Sequence, residues 1–68
     1  MNINERLKEL RIERGLSQKE VSDSIGLTLG AYAHYEQGVR EPSIAIIKRL
    51  CAFFEVTSDY LIGLSDTY

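Results

Sequence analysis

The chain has 68 residues, of which 44% are hydrophobic and 26% are charged, with a net charge of −2. This length suits one domain over residues 1–68 with a small core, and the composition argues against disorder. No apolar run reaches the ~18 residues of a membrane helix, and a single cysteine excludes a disulfide framework or a cysteine-rich zinc cluster. MNINERLKEL does not have the pattern of a signal peptide, so the cytoplasm is the expected location, with association with the nucleoid if DNA is bound.

The negative net charge is unfavourable for nucleic-acid binding, because phosphate contacts depend on Lys and Arg. It does not exclude such binding, since charge can be segregated by face. Between Ser17 and Ser43 the basic residues are Lys19 and Arg40. The acidic residues in the same segment are Glu20, Asp23, Glu36 and Glu41.

Strand signals are missing, and the periodicity predicts five short helices. The first is predicted over residues 3–14. Asn2 and Glu5 have the spacing of a capping box, and Gly15 is the expected left-handed stop. The predicted core stripe is Ile3, Leu7, Leu10 and Arg14, with charged residues on the opposite face.

The second and third predicted helices, over residues 18–25 and 29–37, meet at Gly26. Ser17 with Glu20 forms a second capping box, and Thr28 is the expected N-cap of the third helix. A helix-turn-helix needs a small residue in its first helix, a glycine in the turn and apolar residues at fixed offsets. Residues 18–37 supply all of these in Ser22, Gly26, Val21, Ile25, Leu27, Tyr32 and Tyr35. The segment therefore predicts a helix-turn-helix, although a plain helical hairpin would satisfy several of the same constraints.

The fourth predicted helix follows a loop in which Pro42 disfavours helix at the preceding residue. Ser43 caps this helix, predicted over residues 44–54 with the core stripe Ile44, Ile47, Leu50, Cys51 and Phe54. Thr57 caps a short fifth helix at about residues 58–63, and the tail after it is expected to be frayed or used in contact. The predicted architecture is an all-α, compact five-helix bundle that contains a helix-turn-helix.

Several apolar residues near the C-terminus exceed what a core of this size can hide. They are Ile46, Phe53, Leu61, Ile62 and Leu64. A homodimer interface is the favoured explanation, and additional core is the alternative.

Three stretches of the chain resemble the helix-turn-helix domain shared by phage lambda repressor, Cro and the Xre-type bacterial regulators. They are RLKELRIERGLSQKEVSDSIGL, AYAHYEQGVREPS and VTSDYLIG, within residues 6–63. The resemblance implies a five-helix fold, a homodimer, and insertion of the third helix into a major groove of double-stranded DNA. It also implies a transcriptional regulator, expected to be a repressor that binds a palindromic operator.

The resemblance assigns roles to individual residues. The groove-facing positions are Thr28, Leu29, Gly30, Ala33 and His34. Contacts with DNA phosphates are expected from Gln18, Lys19, Gln37, Arg40 and Ser43. Arg11 and Glu36 match a structural ion pair between the first and third helices. The physical basis for Gln18 is that it begins a helix, where backbone N–H groups bind anions.

The outward face of the third helix departs from the family pattern. Leu29 and Gly30 stand where Arg, Gln or Ser is usual, and Ala33 replaces a common Ser. Direct readout relies on side chains such as Arg, Gln and Asn. On this helix, the side chains that can hydrogen-bond to bases are those of Thr28, His34 and Gln37. We therefore expect modest base discrimination, contacts with thymine methyl groups, and some readout of groove shape.

A second hypothesis is a protein–protein interaction module, such as an antirepressor or a partner-binding domain, with weak or no DNA binding. The apolar row of Leu29 and Ala33 and the negative charge favour it. An enzyme is not expected, because no nucleophile–base pair or glycine-rich phosphate loop is present. No metal or cofactor is expected, since His34 is the single histidine of the chain.

Overall fold

The computed structural model describes residues 2–68, which form five α-helices and no strand. The helices are α1 (Ile3–Glu13), α2 (Gln18–Ile25), α3 (Leu29–Gln37), α4 (Ile44–Phe54) and α5 (Ser58–Leu61). The predicted all-α, five-helix architecture is confirmed, and the bounds of α2, α3 and α4 match the prediction. α1 ends at Glu13 instead of residue 14, and α5 ends at Leu61 instead of residue 63. None of these helices is long and apolar enough to cross a membrane.

Local capping explains where each helix begins. In every helix the N-cap side-chain oxygen accepts a hydrogen bond from the backbone N–H three residues later, at 3.0 to 3.3 Å. The five caps are Asn2, Ser17, Thr28, Ser43 and Thr57. At Ser17 the capping box is complete, because the Glu20 carboxylate accepts the Ser17 N–H at 2.9 Å. Each cap of this kind stabilises its helix by about 1 kcal/mol.

The core lies where α1, α2, α3 and α4 meet, and α5 closes it against α1 and α4. Its fully buried apolar side chains are Leu7, Leu10, Val21, Tyr32, Leu50, Phe54 and Leu61. Deleting one of the larger apolar side chains from such a core typically costs 2 to 5 kcal/mol, on the order of the stability of a whole small domain. The helix-turn-helix segment is thus packed on both sides, because α1 contacts α3 and α4 contacts α2.

Two residues of the predicted core stripes are exposed. Ile44, the first residue of α4, is 74% exposed, whereas Ile47 on the same predicted stripe is half-buried. Arg14 is exposed and lies outside α1 as its C-cap residue, with its guanidinium carbon 5.8 Å from the centroid of the Phe54 ring. The prediction that these two side chains belong to the core is wrong.

The tail after α5 packs back onto the bundle. Arg6, although in a predicted charged face, is 5% exposed, and its guanidinium carbon lies 3.9 Å from the centroid of the Tyr60 ring. The same guanidinium is 3.5 Å from the Ser65 carbonyl oxygen and 3.5 Å from the Asp66 carboxylate. Tyr68 meets the Tyr60 ring edge-on, with 4.7 Å between centroids. Of the two expectations for the tail, contact is the one observed.

Candidate nucleic-acid interface

The turn between α2 and α3 depends on Gly26. This residue has φ 75° and ψ 33°, a left-handed conformation that glycine adopts without steric cost, and its N–H donates to the Ser22 carbonyl oxygen. Ser22 is fully buried, which fits the small side chain predicted where α2 packs against α3. From α4, Arg49 donates to the Ile25 carbonyl oxygen at 3.3 Å and so satisfies an otherwise unpaired group at the end of α2.

The inner face of α3 is buried as its spacing predicts. Tyr32 is fully buried, while Tyr35 and Glu36 are each 7% exposed. Burial beside the Glu36 carboxylate raises the pKa of Tyr32, so its hydroxyl stays protonated. These contacts fix the rotation of α3 about its axis and thereby decide which residues face outward.

A partly buried polar cluster joins α1, α2 and α3, and we name it the Arg11–Glu36–Gln18 cluster. Arg11 donates from Nε to one Glu36 carboxylate oxygen at 2.7 Å and from Nη2 to the other at 3.1 Å. Arg11 Nη1 also donates to the Leu16 carbonyl oxygen at 3.0 Å, and Gln18 Nε2 donates to Glu36 Oε1 at 3.2 Å. Burial by itself would raise the pKa of Glu36, but the Arg11 guanidinium, with smaller contributions from Tyr32 and Gln18, outweighs burial and holds this pKa below its ordinary value.

The groove-facing candidates lie on the opposite side of α3. Thr28, Leu29, Gly30 and His34 are exposed, and Ala33 is partly covered. Leu29 is 48% exposed, which is high for a leucine in a folded chain. A Cβ atom built on Gly30 would have no atom within 4 Å, so the helix presents bare backbone at this point. The Thr28 hydroxyl oxygen caps α3 by accepting from the Ala31 N–H at 3.1 Å.

The phosphate candidates occupy the helix ends around α3. Gln18 is half-buried at the first residue of α2, whereas Lys19, Gln37, Arg40 and Ser43 are exposed. The Lys19 ammonium lies 3.0 Å from the Asp23 carboxylate. No carboxylate within residues 2–68 forms an ion pair with Arg40, so its guanidinium is available to an external anion.

The candidates for the dimer interface divide into two groups. Leu61 is fully buried in the core, because α5 packs it against α1 and α4, and its assignment to an interface is wrong. Ile46 and Phe53 are half-buried against the core. Ile62 and Leu64 are 39% and 77% exposed, which leaves apolar surface uncovered at the end of α5.

Half of the eight basic residues of this chain are engaged in internal contacts, and of these contacts only the Arg11 ion pair is expected from the sequence. Arg6, Arg11 and Lys19 pair with carboxylates, and Arg49 caps α2. The remaining basic residues are Lys8, Arg14, Arg40 and Lys48. Of these four, Arg40 lies in the loop that directly follows α3.

Comparison with known proteins shows the family. The family model described as Helix-turn-helix matches residues 7–61. The HTH-type transcriptional regulator AnsR of Bacillus subtilis is 38% identical over 63 residues, which are 93% of this chain and 53% of AnsR. The cryptic phage CTXphi transcriptional repressor RstR of Vibrio cholerae is 34% identical over 62 residues, 91% of this chain and 56% of RstR. The chain thus spans about half the length of the curated relatives it matches.

Solved structures agree on the architecture. The restriction-modification controller protein C.AhdI from Aeromonas hydrophila superposes with a TM-score of 0.82 at 30% identity, covering 88% of this chain and 91% of that one. The P22 c2 repressor, solved in complex with a synthetic operator, has a TM-score of 0.88 at 20% identity, covering 96% and 98%, and supports the fold alone. With its helix order, its turn at Gly26 and this match over most of its length, the chain belongs to the Xre-type helix-turn-helix family.

Proposed function

We propose that residues 1–68 form a single DNA-binding domain of a transcriptional regulator, a repressor that inserts α3 into the major groove. The observation that carries the proposal is the outer face of α3. The inner face of α3 is fixed by buried tyrosines, whereas Leu29, Gly30 and His34 on its outer face are exposed. The curated relatives AnsR and RstR are a transcriptional regulator and a transcriptional repressor, which does not favour the alternative of a protein-binding module.

Phosphate contacts would set the position of α3 in the groove. The N-terminus of α2, where Gln18 lies, carries partial positive charge and backbone N–H groups that no helical carbonyl occupies. Arg40 lies in the loop after α3, and Ser43 begins α4. These groups would bind the sugar–phosphate backbone on either side of the groove without reading its sequence.

Base recognition would depend on shape and methyl contacts more than on hydrogen bonds. Leu29 and Ala33 suit the methyl group of thymine, and Thr28 and His34 can hydrogen-bond to base edges. Gly30 has no side chain, which allows the helix backbone to approach the bases closely at this point. A bidentate side chain typically adds about 1 to 3 kcal/mol of discrimination per base. No arginine or asparagine occupies the outer face of α3, so we expect a modest preference with a bias toward A·T pairs.

A homodimer would double this contact area on a palindromic operator. Ile62 and Leu64 expose apolar surface, and the half-buried Ile46 and Phe53 can contribute to the same interface. Two half-sites should then lie one helical turn apart, ~34 Å, on the same face of the DNA.

A fluorescence-anisotropy titration against the DNA that flanks the gene of this protein tests the proposal. We expect saturable binding at low salt, and tighter binding to a palindromic segment than to random DNA of equal length. A folded protein that binds neither DNA at low salt would contradict the proposal. Capture of a stoichiometric protein partner that Leu29→Glu abolishes would instead establish the protein-binding alternative.

A further inference from the structure

The side chain of Gln18, at the start of α2, is hydrogen-bonded to a residue of α3. Its Nε2 donates to Glu36 Oε1 at 3.2 Å across the α2–α3 interface. A carboxylate only accepts hydrogen bonds, so the amide must present its NH₂ group to Glu36, and its orientation is fixed by chemistry. One N–H remains without a partner within residues 2–68.

Glu36 itself has little freedom to move. Its side chain is 3% exposed, and both of its carboxylate oxygens accept from Arg11 in a bidentate pair. Arg11 is in turn held to the α1–α2 loop through the Leu16 carbonyl oxygen. The acceptor that Gln18 uses is therefore a rigid point shared by three helices.

We infer that Glu36 is a positioning residue for DNA binding, which holds the Gln18 amide so that its second N–H donates to a phosphate at the N-terminus of α2. This inference rests on the proposed function, and it states how the Gln18 amide is oriented before it contacts a phosphate. An amide serves here because one nitrogen can donate to Glu36 and to a phosphate at once.

Charge balance explains why a carboxylate can take this role next to a polyanion. An unpaired Glu36 would repel a phosphate bound through Gln18. The Arg11 guanidinium, 2.7 Å from the carboxylate, compensates that charge, so the cluster offers an oriented neutral donor. A glutamine ordered before binding also loses less rotamer freedom when the phosphate arrives.

The first arm of the test uses the free protein. Side-chain ¹⁵N relaxation of Gln18 is compared with that of Gln37, an exposed glutamine at the end of α3 with no hydrogen bond to Glu36 in the structure. We expect the Gln18 amide to be ordered in the unmodified chain. In Glu36→Asp, whose shorter side chain withdraws the acceptor, it should become as mobile as Gln37. A Gln18 amide that is as mobile as Gln37 in the unmodified chain would overturn the inference.

The second arm is a double-mutant cycle on DNA affinity. Gln18→Ala should weaken binding about tenfold in the unmodified chain, as for a hydrogen bond to a charged group, but less than about twofold in Glu36→Asp. Gln37→Ala is the matched control, and its effect should be equal in both backgrounds. Arg11→Met/Glu36→Leu, which removes both charges together, provides a second background should Glu36→Asp not fold.

The outcomes separate the inference from the proposed function. An equal loss from Gln18→Ala in both backgrounds, with the unmodified chain binding normally, would overturn the positioning role of Glu36 and leave the proposed function intact. Absence of DNA binding by the unmodified chain and every variant would overturn both.

Discussion

Glu55 ends α4 in a conformation that side chains avoid. It is the one residue other than glycine with positive φ within residues 2–68, at φ 57° and ψ 47°. A left-handed L-residue costs roughly 1 kcal/mol, so we expect Glu55→Gly to raise the free energy of unfolding by about 0.5 to 1 kcal/mol. Urea denaturation measures the change, with Glu55→Ala as the control, because it keeps the Cβ atom and should gain little. A glycine variant no more stable than the alanine variant would contradict the prediction.

Arg40 should contribute affinity without sequence preference. Arg40→Ala is expected to weaken binding equally on operator and random DNA, because a guanidinium on a phosphate carries no base information. In a dimer it removes two phosphate contacts, so the slope of log K against log salt should fall in magnitude by about 2. Anisotropy titrations at several salt concentrations measure both effects. Lys48→Ala, an exposed lysine on α4, is the control, and a loss confined to the operator would contradict the phosphate role.

His34 should have the opposite signature. It is exposed on the outer face of α3, where its ring can hydrogen-bond to a base edge. His34→Ala is therefore expected to change the ratio of affinities between the operator and single-base variants by about fivefold or more at the base that it contacts. A competition assay over a set of operator variants measures this ratio. An equal loss on cognate and random DNA would count against base reading.

Single residues were hardest to predict where their partners are distant in sequence. Arg6 lies in a charged stretch of α1, and helical spacing gives no reason to bury it. Its burial depends on the Tyr60 ring and on the Ser65 carbonyl oxygen, which is 59 positions away. Apolar content alone places Leu61 among the residues that exceed a core of this size, yet α5 buries it completely against that core.

At the scale of elements, α3 combines a specified inner face with an outer face that packing leaves free. Glycine in a helix interior costs about 1 kcal/mol relative to alanine, and a Cβ atom at Gly30 would meet nothing within 4 Å. We expect Gly30→Ala to raise the free energy of unfolding by about 0.5 to 1 kcal/mol and to weaken DNA binding if the groove is approached closely. Thermal denaturation and anisotropy measure the two effects. A stabilised variant that binds as tightly as the parent would show that Gly30 is not a point of close approach.

The elements themselves were predictable because their determinants are local. Five N-cap residues fix the helix starts, and the bounds of three helices follow without error. The buried face of α3 follows from spacing, since Tyr32, Tyr35 and Glu36 all face the core. The contribution of Leu29 or Ala33 to binding does not follow in this way. Nothing inside the chain constrains an exposed side chain, so the roles on that face come from resemblance to a family.

At the scale of the whole molecule, the Arg11–Glu36–Gln18 cluster should make stability depend on pH. Glu36 has a folded-state pKa below its ordinary value of 4.5, so the folded chain holds this proton less tightly than the unfolded chain. The stability that its charge supplies is complete above that ordinary value and is lost as the pH falls through the lower folded-state pKa. The melting temperature of the parent should therefore fall below about pH 4.5 more steeply than that of Glu36→Gln. Melting curves between about pH 3 and 7 measure this dependence.

A matched control separates the cluster from general acid denaturation. Glu5→Gln removes an exposed carboxylate from the first turn of α1 and should retain the acid dependence of the parent. Parallel curves for the parent and Glu36→Gln would show that Glu36 does not contribute to the loss of stability in acid.

The open space around Gly30 also affects how this chain can change its binding preference over generations. Single-base changes in a glycine codon lead to serine, arginine, alanine and aspartate, among others, and serine and arginine donate hydrogen bonds to bases. At most positions such a change must first be tolerated by the fold, because most substitutions destabilise. At residue 30 a Cβ atom would meet no neighbouring atom within 4 Å, and α3 gains helix propensity when glycine is replaced. If α3 reads DNA as proposed, a new operator preference is therefore reachable in one mutational step, without prior stabilising substitutions elsewhere.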